Sequence, residues 1–388
     1  MSEHIAGFTS TGSKRPETLF GVHDPSLPLR MTRSAGCCVW DEHGREYTDY
    51  IMGLGSVALG YAHPTVVSAA SSAVAAGAVG PLGPVLEEEV ASTFCRLVPW
   101  LERVRFLKTG AEAMAAAVRL ARVYTGREGI LGCGYHGWLD WSQGAAGVPL
   151  STRALYGELP FNDPEGAREQ IRASGNQLAA VVFEPVVVSE PSVEWLRVLR
   201  EETTRVGALL VVDEIKTACR LAIGGACERY SIRPDLVVMG KAIANGFPLA
   251  LVGGRSSVMA GVNRTWISST LATEFVSLAA AQATLETMES VPVMDHLQRT
   301  GIRLLEGLRS LSREHADSIT GVGGIPQMCF LHYSDEAVSQ AVTAACAHNG
   351  LLFKRSAYNF VSLAHDEVVV DRSLELLAEA LSAVTKPA

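Results

Sequence analysis

Ala208-Leu209-Leu210-Val211-Val212-Asp213-Glu214 is a short apolar run that stops at two adjacent carboxylates. A run this short and this rich in Val and Leu has the pattern of a strand buried on both faces. In open α/β sheets, ligands gather at the carboxyl ends of strands, which is where Asp213 and Glu214 fall. An acid there is costly unless it meets a cation or a hydrogen-bond donor; the plainer role is a cap for the next helix. Similar runs lie at residues 104–107, 179–183, 236–239 and 249–252, with helical patterns between them. In residues 111–125, Met114, Val118 and Ala121 recur at helical spacing and Gly126 supplies the stop. Strands alternating with helices predict an α/β fold with a mostly parallel sheet, helices on both faces and right-handed crossovers.

Outward from this centre the pattern changes. The first 18 residues read as a loose arm. Cys38-Val39-Trp40 and Glu46-Tyr47-Thr48-Asp49-Tyr50-Ile51 flank Asp41-Glu42-His43-Gly44, a hairpin pattern. Beyond about Ser290, helical stretches (296–314, 336–349, 372–385) alternate with weaker strand signals (327–332, 359–363, 368–370). This divides the chain into residues 1–60, an arm and part of a small α+β domain; 61–290, a large domain; and 291–388, the rest of the small domain.

The 388 residues are 48% hydrophobic and 19% charged, enough apolar material for a large core and against disorder throughout. The formal net charge of −8 argues against a nucleic-acid partner. No apolar run reaches the about 18 residues of a membrane span. The polar N-terminus lacks a secretory pattern, so a cytoplasmic location is expected. Cysteines at 37, 38, 95, 133, 219, 227, 329 and 346 form no CxxC pair; free thiols are expected, and no metal site.

Four motifs carry chemistry. Asp213 and Glu214 end one strand. Leu236-Val237-Val238-Met239-Gly240-Lys241 puts a lysine at the end of another. In an apolar setting its neutral amine can form a Schiff base with a carbonyl, although most lysines are simply solvated. A Walker A loop is excluded, since Asp235 stands where glycine is needed and Ala242 follows the lysine. Lys108-Thr109-Gly110-Ala111-Glu112-Ala113 leads from strand to helix and suits a phosphate, or an ordinary helix cap. Cys133-Gly134-Tyr135-His136-Gly137-Trp138 sets aromatics between glycines, for stacking on a flat cofactor or for core packing. A phosphate cradle, a stacking ring, a carboxylate and a reactive lysine together meet the needs of pyridoxal 5'-phosphate (PLP).

From about residue 27 to 380 the sequence resembles the class III PLP-dependent aminotransferases of fold type I, nearest their glutamate-1-semialdehyde aminomutase-like branch. The motifs run in order: Trp40-Asp41-Glu42-His43-Gly44, Gly60-Tyr61-Ala62-His63-Pro64, Thr109-Gly110-Ala111-Glu112-Ala113, Tyr135-His136-Gly137, Glu184-Pro185, Asp213-Glu214-Ile215, Arg233-Pro234-Asp235, Gly240-Lys241 and Ser362-Leu363-Ala364-His365. The resemblance implies that Lys241 holds the cofactor aldehyde and acts as acid and base. Asp213 would pair with the pyridine nitrogen, with Ile215 and Tyr135 on opposite ring faces. Thr109, Gly110 and Ala111 would bind the phosphate, largely by backbone N–H. Glu184 would support the ring or substrate, and His136 would stand behind it. Thr270 would reach the phosphate of a neighbouring subunit, so a homodimer is implied.

Departures bear on the substrate. The family's Asn-Ser-Gly-Thr phosphate stretch is Lys108-Thr109-Gly110-Ala111 here. Phe20-Gly21-Val22-His23-Asp24-Pro25 lacks the arginine expected to bind a substrate carboxylate, and Arg355-Ser356-Ala357-Tyr358-Asn359-Phe360 lacks an acidic gate residue. After Glu184-Pro185 the expected asparagine is absent, with Ser189 the candidate substitute. Trp138 and Trp141 suggest a remodelled wall, and Lys354 with Arg355 is a candidate grip on a donor carboxylate. The expected activity is amino transfer from an amino-acid donor, with L-glutamate the candidate, to an aldehyde or ketone such as a sugar-like or specialised-metabolite carbonyl. The alternatives are an aminomutase (glutamate-1-semialdehyde type) or epimerase and a non-catalytic scaffold. Gly53-Leu54-Gly55-Ser56-Val57-Ala58 fails the dinucleotide fingerprint.

Overall fold

The computed structural model describes residues 4–385. Two compact units emerge: one runs from Pro64 to Met294, the other joins the residues up to His63 with those from Asp295 onward. In the smaller unit β1 (Met31–Ala35), β2 (Cys38–Asp41) and β3 (Glu46–Asp49) form an antiparallel meander. Asp41 pins the β2–β3 hairpin. One carboxylate oxygen accepts the backbone N–H groups of His43 and Arg45, each at 2.9 Å. The other accepts the Tyr47 hydroxyl at 2.9 Å and Arg45 Nε at 2.8 Å. Gly44 closes the turn at φ 80°, where a side chain would be strained.

The larger unit is built on one sheet of β4 (Arg103–Leu107), β5 (Gly129–Cys133), β6 (Tyr156–Glu158), β7 (Leu178–Phe183), β8 (Leu209–Asp213), β9 (Leu236–Met239) and β10 (Ala250–Gly254). Its order is β4-β10-β9-β8-β7-β5-β6. Strands β5 to β9 pair with one another in parallel, and β10 is antiparallel to both β4 and β9. The predicted mostly parallel α/β sheet is therefore present, with one reversed strand.

Strands β7, β8 and β9 are buried along their whole length, which is why they read as continuous apolar runs. On one face Val182, Val211, Val238 and Val252 pack with Met114, Ala117, Val118 and Ala121 of the helix Gly110–Thr125. That helix ends at Gly126, whose φ of 69° makes the left-handed cap expected of a glycine there. On the other face Trp195, from the helix Val193–Val206, meets the Phe183 ring edge-on at 5.3 Å.

Four elements differ from expectation. β5 and β6 are not evident in the sequence, because Gly129-Ile130-Leu131-Gly132-Cys133 is diluted by two glycines. Gly132 is required, since a Cβ there would lie 2.2 Å from the Tyr156 hydroxyl of β6. Part of the loose arm is the helix Pro16–Phe20, anchored by Phe20, which packs with Leu27 and Ala347. Residues 368–370 are not a strand but lie near the start of the helix Glu367–Thr385. Asp366 Oδ1 accepts Val369 N–H at 2.8 Å, and this cap overrides the β-propensity of three valines. The remaining C-terminal strands are β11 (Ile319–Ile325), β12 (Met328–Tyr333), β13 (Leu351–Leu352) and β14 (Asn359–Phe360). β11-β12-β14 is an antiparallel sheet, while β13 adds to β3 in parallel.

A candidate active site at the strand ends

The two carboxylates after β8 have separate work. Glu214 is wholly buried and structural: it accepts the N–H groups of Ala226 at 2.8 Å and Cys227 at 2.7 Å, and the Thr217 hydroxyl. Burial pushes its carboxyl above the ordinary value, against the pull of these bonds. Asp213 faces the loop after β5. Its Oδ2 lies 2.7 Å from His136 Nδ1, and its Oδ1 accepts Ile215 N–H at 3.1 Å. A carboxylate can only accept, so it fixes a proton on Nδ1. His136 Nε2 is buried without a hydrogen-bond partner. The imidazole stacks on Trp141 at 5.9 Å between centroids.

Glycines allow the other segments to converge on this pair. A Cβ on Gly110 would lie 2.5 Å from Ile215 Cδ1, so glycine lets the start of the helix Gly110–Thr125 reach the end of β8 without moving Ile215. A Cβ on Gly137 would lie 2.6 Å from that of Ala111, which brings the Tyr135-His136-Gly137 loop onto the same helix start. Thr109 caps the helix in a reciprocal box with Glu112. Both the Thr109 backbone N–H, at 2.9 Å, and its hydroxyl, at 3.0 Å, donate to Glu112 Oε2. The N–H groups of Gly110 and Ala111 are spare, as the first donors of a helix are. Lys108 is drawn aside into a 2.6 Å ion pair with Glu274.

Lys241 follows β9 and opens the single turn Lys241–Ala244 at φ 51°, a strained backbone for a side-chain-bearing residue. Burial lowers its amine below the ordinary lysine value. Glu184 pulls it back up, Lys216 pushes it down, Asp213 raises it and Arg220 lowers it. Glu184, at the end of β7, is held twice: Oε1 pairs with Lys216 at 3.0 Å, and Oε2 accepts Tyr135 N–H at 3.0 Å. Lys216 is buried, and Arg220 is fully so, with its guanidinium brought down to about 10 by burial. Sequence reasoning stopped at Asp213-Glu214-Ile215 and missed both cations. Their signal was a Lys three and an Arg seven residues beyond a strand-end Asp.

Lys241, Asp213, His136, Tyr135, Glu184, Ile215, Thr109, Gly110 and Ala111 thus meet at one edge of the sheet. Thr270 stands apart, exposed in a turn and hydrogen-bonded to none of them. Trp138 is 74% exposed and Trp141 is buried, so only the first is available as a wall. Ser189 is exposed and donates only weakly, to Glu190 O at 3.4 Å. In the smaller unit, Arg355 is committed to Glu336 at 2.7 Å and to the Glu17 carbonyl at 3.2 Å, which leaves less of it for a carboxylate ligand. Among the described residues no cluster of His, Cys, Asp and Glu is placed to hold a metal ion, and no helix is long and apolar enough to cross a membrane.

The donor set fits PLP. Spare N–H groups at a helix start suit its phosphate. A fixed carboxylate suits a protonated ring nitrogen, and the Tyr135 ring, 66% exposed, is free to cover a ring face. A buried amine of lowered basicity suits an aldehyde.

Comparison with known proteins agrees. The family model for class-III aminotransferases matches residues 20–385. The glutamate-1-semialdehyde 2,1-aminomutase of Thermomicrobium roseum is 35% identical, over 92% of this chain and 92% of that protein. The FumI protein of Sphingopyxis sp. MTA144, solved in its PLP internal aldimine form, superposes with a TM-score of 0.91 at 28% identity, over 96% of this chain and 92% of that one. A β-phenylalanine aminotransferase from Variovorax paradoxus superposes with a TM-score of 0.83 at 27% identity, over 91% of this chain and 87% of that one.

Proposed function

Because the chain belongs to the class III aminotransferases, PLP-dependent enzymes of fold type I, we propose that it moves an amino group from an amino-acid donor, L-glutamate foremost, to an aldehyde or ketone acceptor, with Lys241 as its catalytic amine. The reading is carried by the convergence of Lys241, the Asp213–His136 pair and the spare N–H groups of Gly110 and Ala111 at one sheet edge. Bound PLP supplies an aldehyde that takes up amino groups and a protonated ring that withdraws electrons from the carbon beside the nitrogen. Lys241 Nζ would hold that aldehyde, and the same Nζ, when free, would be the group to take a proton from the substrate's α-carbon and to return one. A lowered amine basicity leaves Lys241 neutral, and so able to attack and accept a proton, at lower pH than an ordinary lysine. Asp213, oriented by His136, keeps a proton on the ring nitrogen. Tyr135 and Ile215 would hold the ring between them, and Glu184 fixes the Tyr135 backbone.

A homodimer belongs to this reading. Thr270 lies among the exposed apolar side chains Trp266 and Leu271, a surface suited to a second copy, where it would reach the phosphate bound by the neighbour. The acceptor is a small carbonyl compound, and exposed Trp138 gives it a flat wall.

The aminomutase reading is favoured by one observation, the activity for which the relative from Thermomicrobium roseum is named. The missing arginine in Phe20-Gly21-Val22-His23-Asp24-Pro25 weighs against it. One experiment separates the two. The purified protein is mixed with PLP, and its visible absorbance is followed before and after L-glutamate, beside Lys241→Ala. Transamination bleaches the visible band and releases 2-oxoglutarate, and the variant has no such band. A band that glutamate leaves untouched, with glutamate-1-semialdehyde isomerised and no oxo acid released, supports the mutase. A wild type without a band overturns both.

A further inference from the structure

We propose that Lys216 is a positioning residue that withholds the Glu184 carboxylate from Lys241. The argument rests on Lys241 being the cofactor-bearing amine, as proposed above. Strands β7, β8 and β9 are adjacent and parallel, with Phe183 beside Val212 and Asp213 beside Val238. Glu184, Lys216 and Lys241 follow the ends of these three strands by one, three and two residues, so Lys216, on the middle strand, stands between the carboxylate and the second lysine. The structure resolves the contest in favour of Lys216, whose Nζ sits 3.0 Å from Glu184 Oε1 with both side chains largely shielded from water. Glu184 cannot turn elsewhere easily, because its other oxygen accepts Tyr135 N–H. Gly134 makes room for it: a Cβ there would fall 2.6 Å from Glu184 Oε2.

A carboxylate left without Lys216 would have Lys241 as its remaining nearby amine. It would then hold the Lys241 proton in place, and a protonated amine neither attacks an aldehyde nor accepts a proton from carbon. The other charged groups acting on Lys241 are Asp213, committed to His136, and the buried Arg220. Cys133, beside Glu184, has its thiol raised to about 12 by burial first and then by Glu184 and Glu158, so it remains uncharged near neutrality. Lys216 is therefore the cation that keeps Glu184 Oε1 from Lys241, while Oε2 stays on Tyr135.

The test reads Lys241 directly. Full-length protein stripped of PLP is acetylated with acetic anhydride over a pH series, and modification of Lys241 is measured by peptide mass spectrometry. Lys216→Met should slow Lys241 acetylation at neutral pH by about tenfold and move its profile to higher pH. Lys216→Arg should keep the wild-type profile, and Lys216→Met with Glu184→Gln should regain it. Lys216→Gln replaces the methionine variant if that one does not fold. A Lys216→Met profile superimposable on wild type overturns the inference, as does a double variant that stays slow. A wild type in which added PLP fails to protect Lys241 overturns instead the assignment of Lys241, a distinct result.

Discussion

A single hydrogen bond, His136 Nδ1 to Asp213 Oδ2 at 2.7 Å, does at the residue scale what the proposed chemistry requires of a carboxylate. Both partners are buried, so the bond aims the acid without help from water. Removing the imidazole leaves a buried carboxylate short of a donor, at a cost of about 1–3 kcal/mol. Asp213 would then lose the contact that aims it, and a misdirected acid holds a ring nitrogen's proton poorly. His136→Phe should therefore lower the rate of the glutamate half-reaction by about tenfold to a hundredfold with a smaller change in glutamate affinity. Stopped-flow absorbance separates the two quantities. An unchanged rate would show that Asp213 needs no partner. The His136–Asp213 contact was not legible in the sequence, since the two residues lie 77 positions apart on strands that β7 separates. What was legible was each half: an acid ending an apolar run, and aromatics between glycines.

At the scale of elements, the β2–β3 hairpin offers a stability test away from the proposed chemistry. Burial pushes the Asp41 carboxyl up, but the donors of Arg45, Tyr47 and His43 together bring it from 3.8 down to about 2. Its folded-state value lies below its unfolded one, so its contribution is fully present above the ordinary carboxylate range. That contribution fades as pH falls toward 2. Asp41→Asn should lower the melting temperature at neutral pH, and the gap from wild type should close as the pH of the melt falls through this window. A gap that is constant with pH would mean that shape, not charge, holds the turn. This hairpin was plain from Asp41-Glu42-His43-Gly44 between alternating strands, as were β7, β8 and β9, because local pattern and burial agree there. Strand β5 was not, since Gly132 serves a contact with Tyr156, and Gly129 one with the Gln177 backbone, rather than strand propensity. Residues 368–370 misled for the opposite reason: valines carry a strand signal, but the Asp366 cap and burial of Val370 put them in a helix.

For the molecule as a whole, the proposed reading calls for a second copy. Sedimentation of the wild type should give twice the chain mass. Trp266→Asp, which charges a side chain now 82% exposed, should shift the protein toward single chains and weaken PLP retention together. Dissociation without loss of PLP would separate the assembly from the site. The smaller unit carries another consequence of chain order. Thr48 and Asp49 of β3 find their partners in Leu351 and Leu352 of β13, roughly 300 residues later. On a ribosome adding about 5–20 residues per second, the edge of β3 is bare for about 15–60 seconds while the whole of the larger unit is made. An unpaired strand edge is a template for other chains. A message that stalls short of Leu351 would thus release a protein whose larger unit has been completed and whose smaller unit is left with an adhesive edge, a natural substrate for chaperones and proteases.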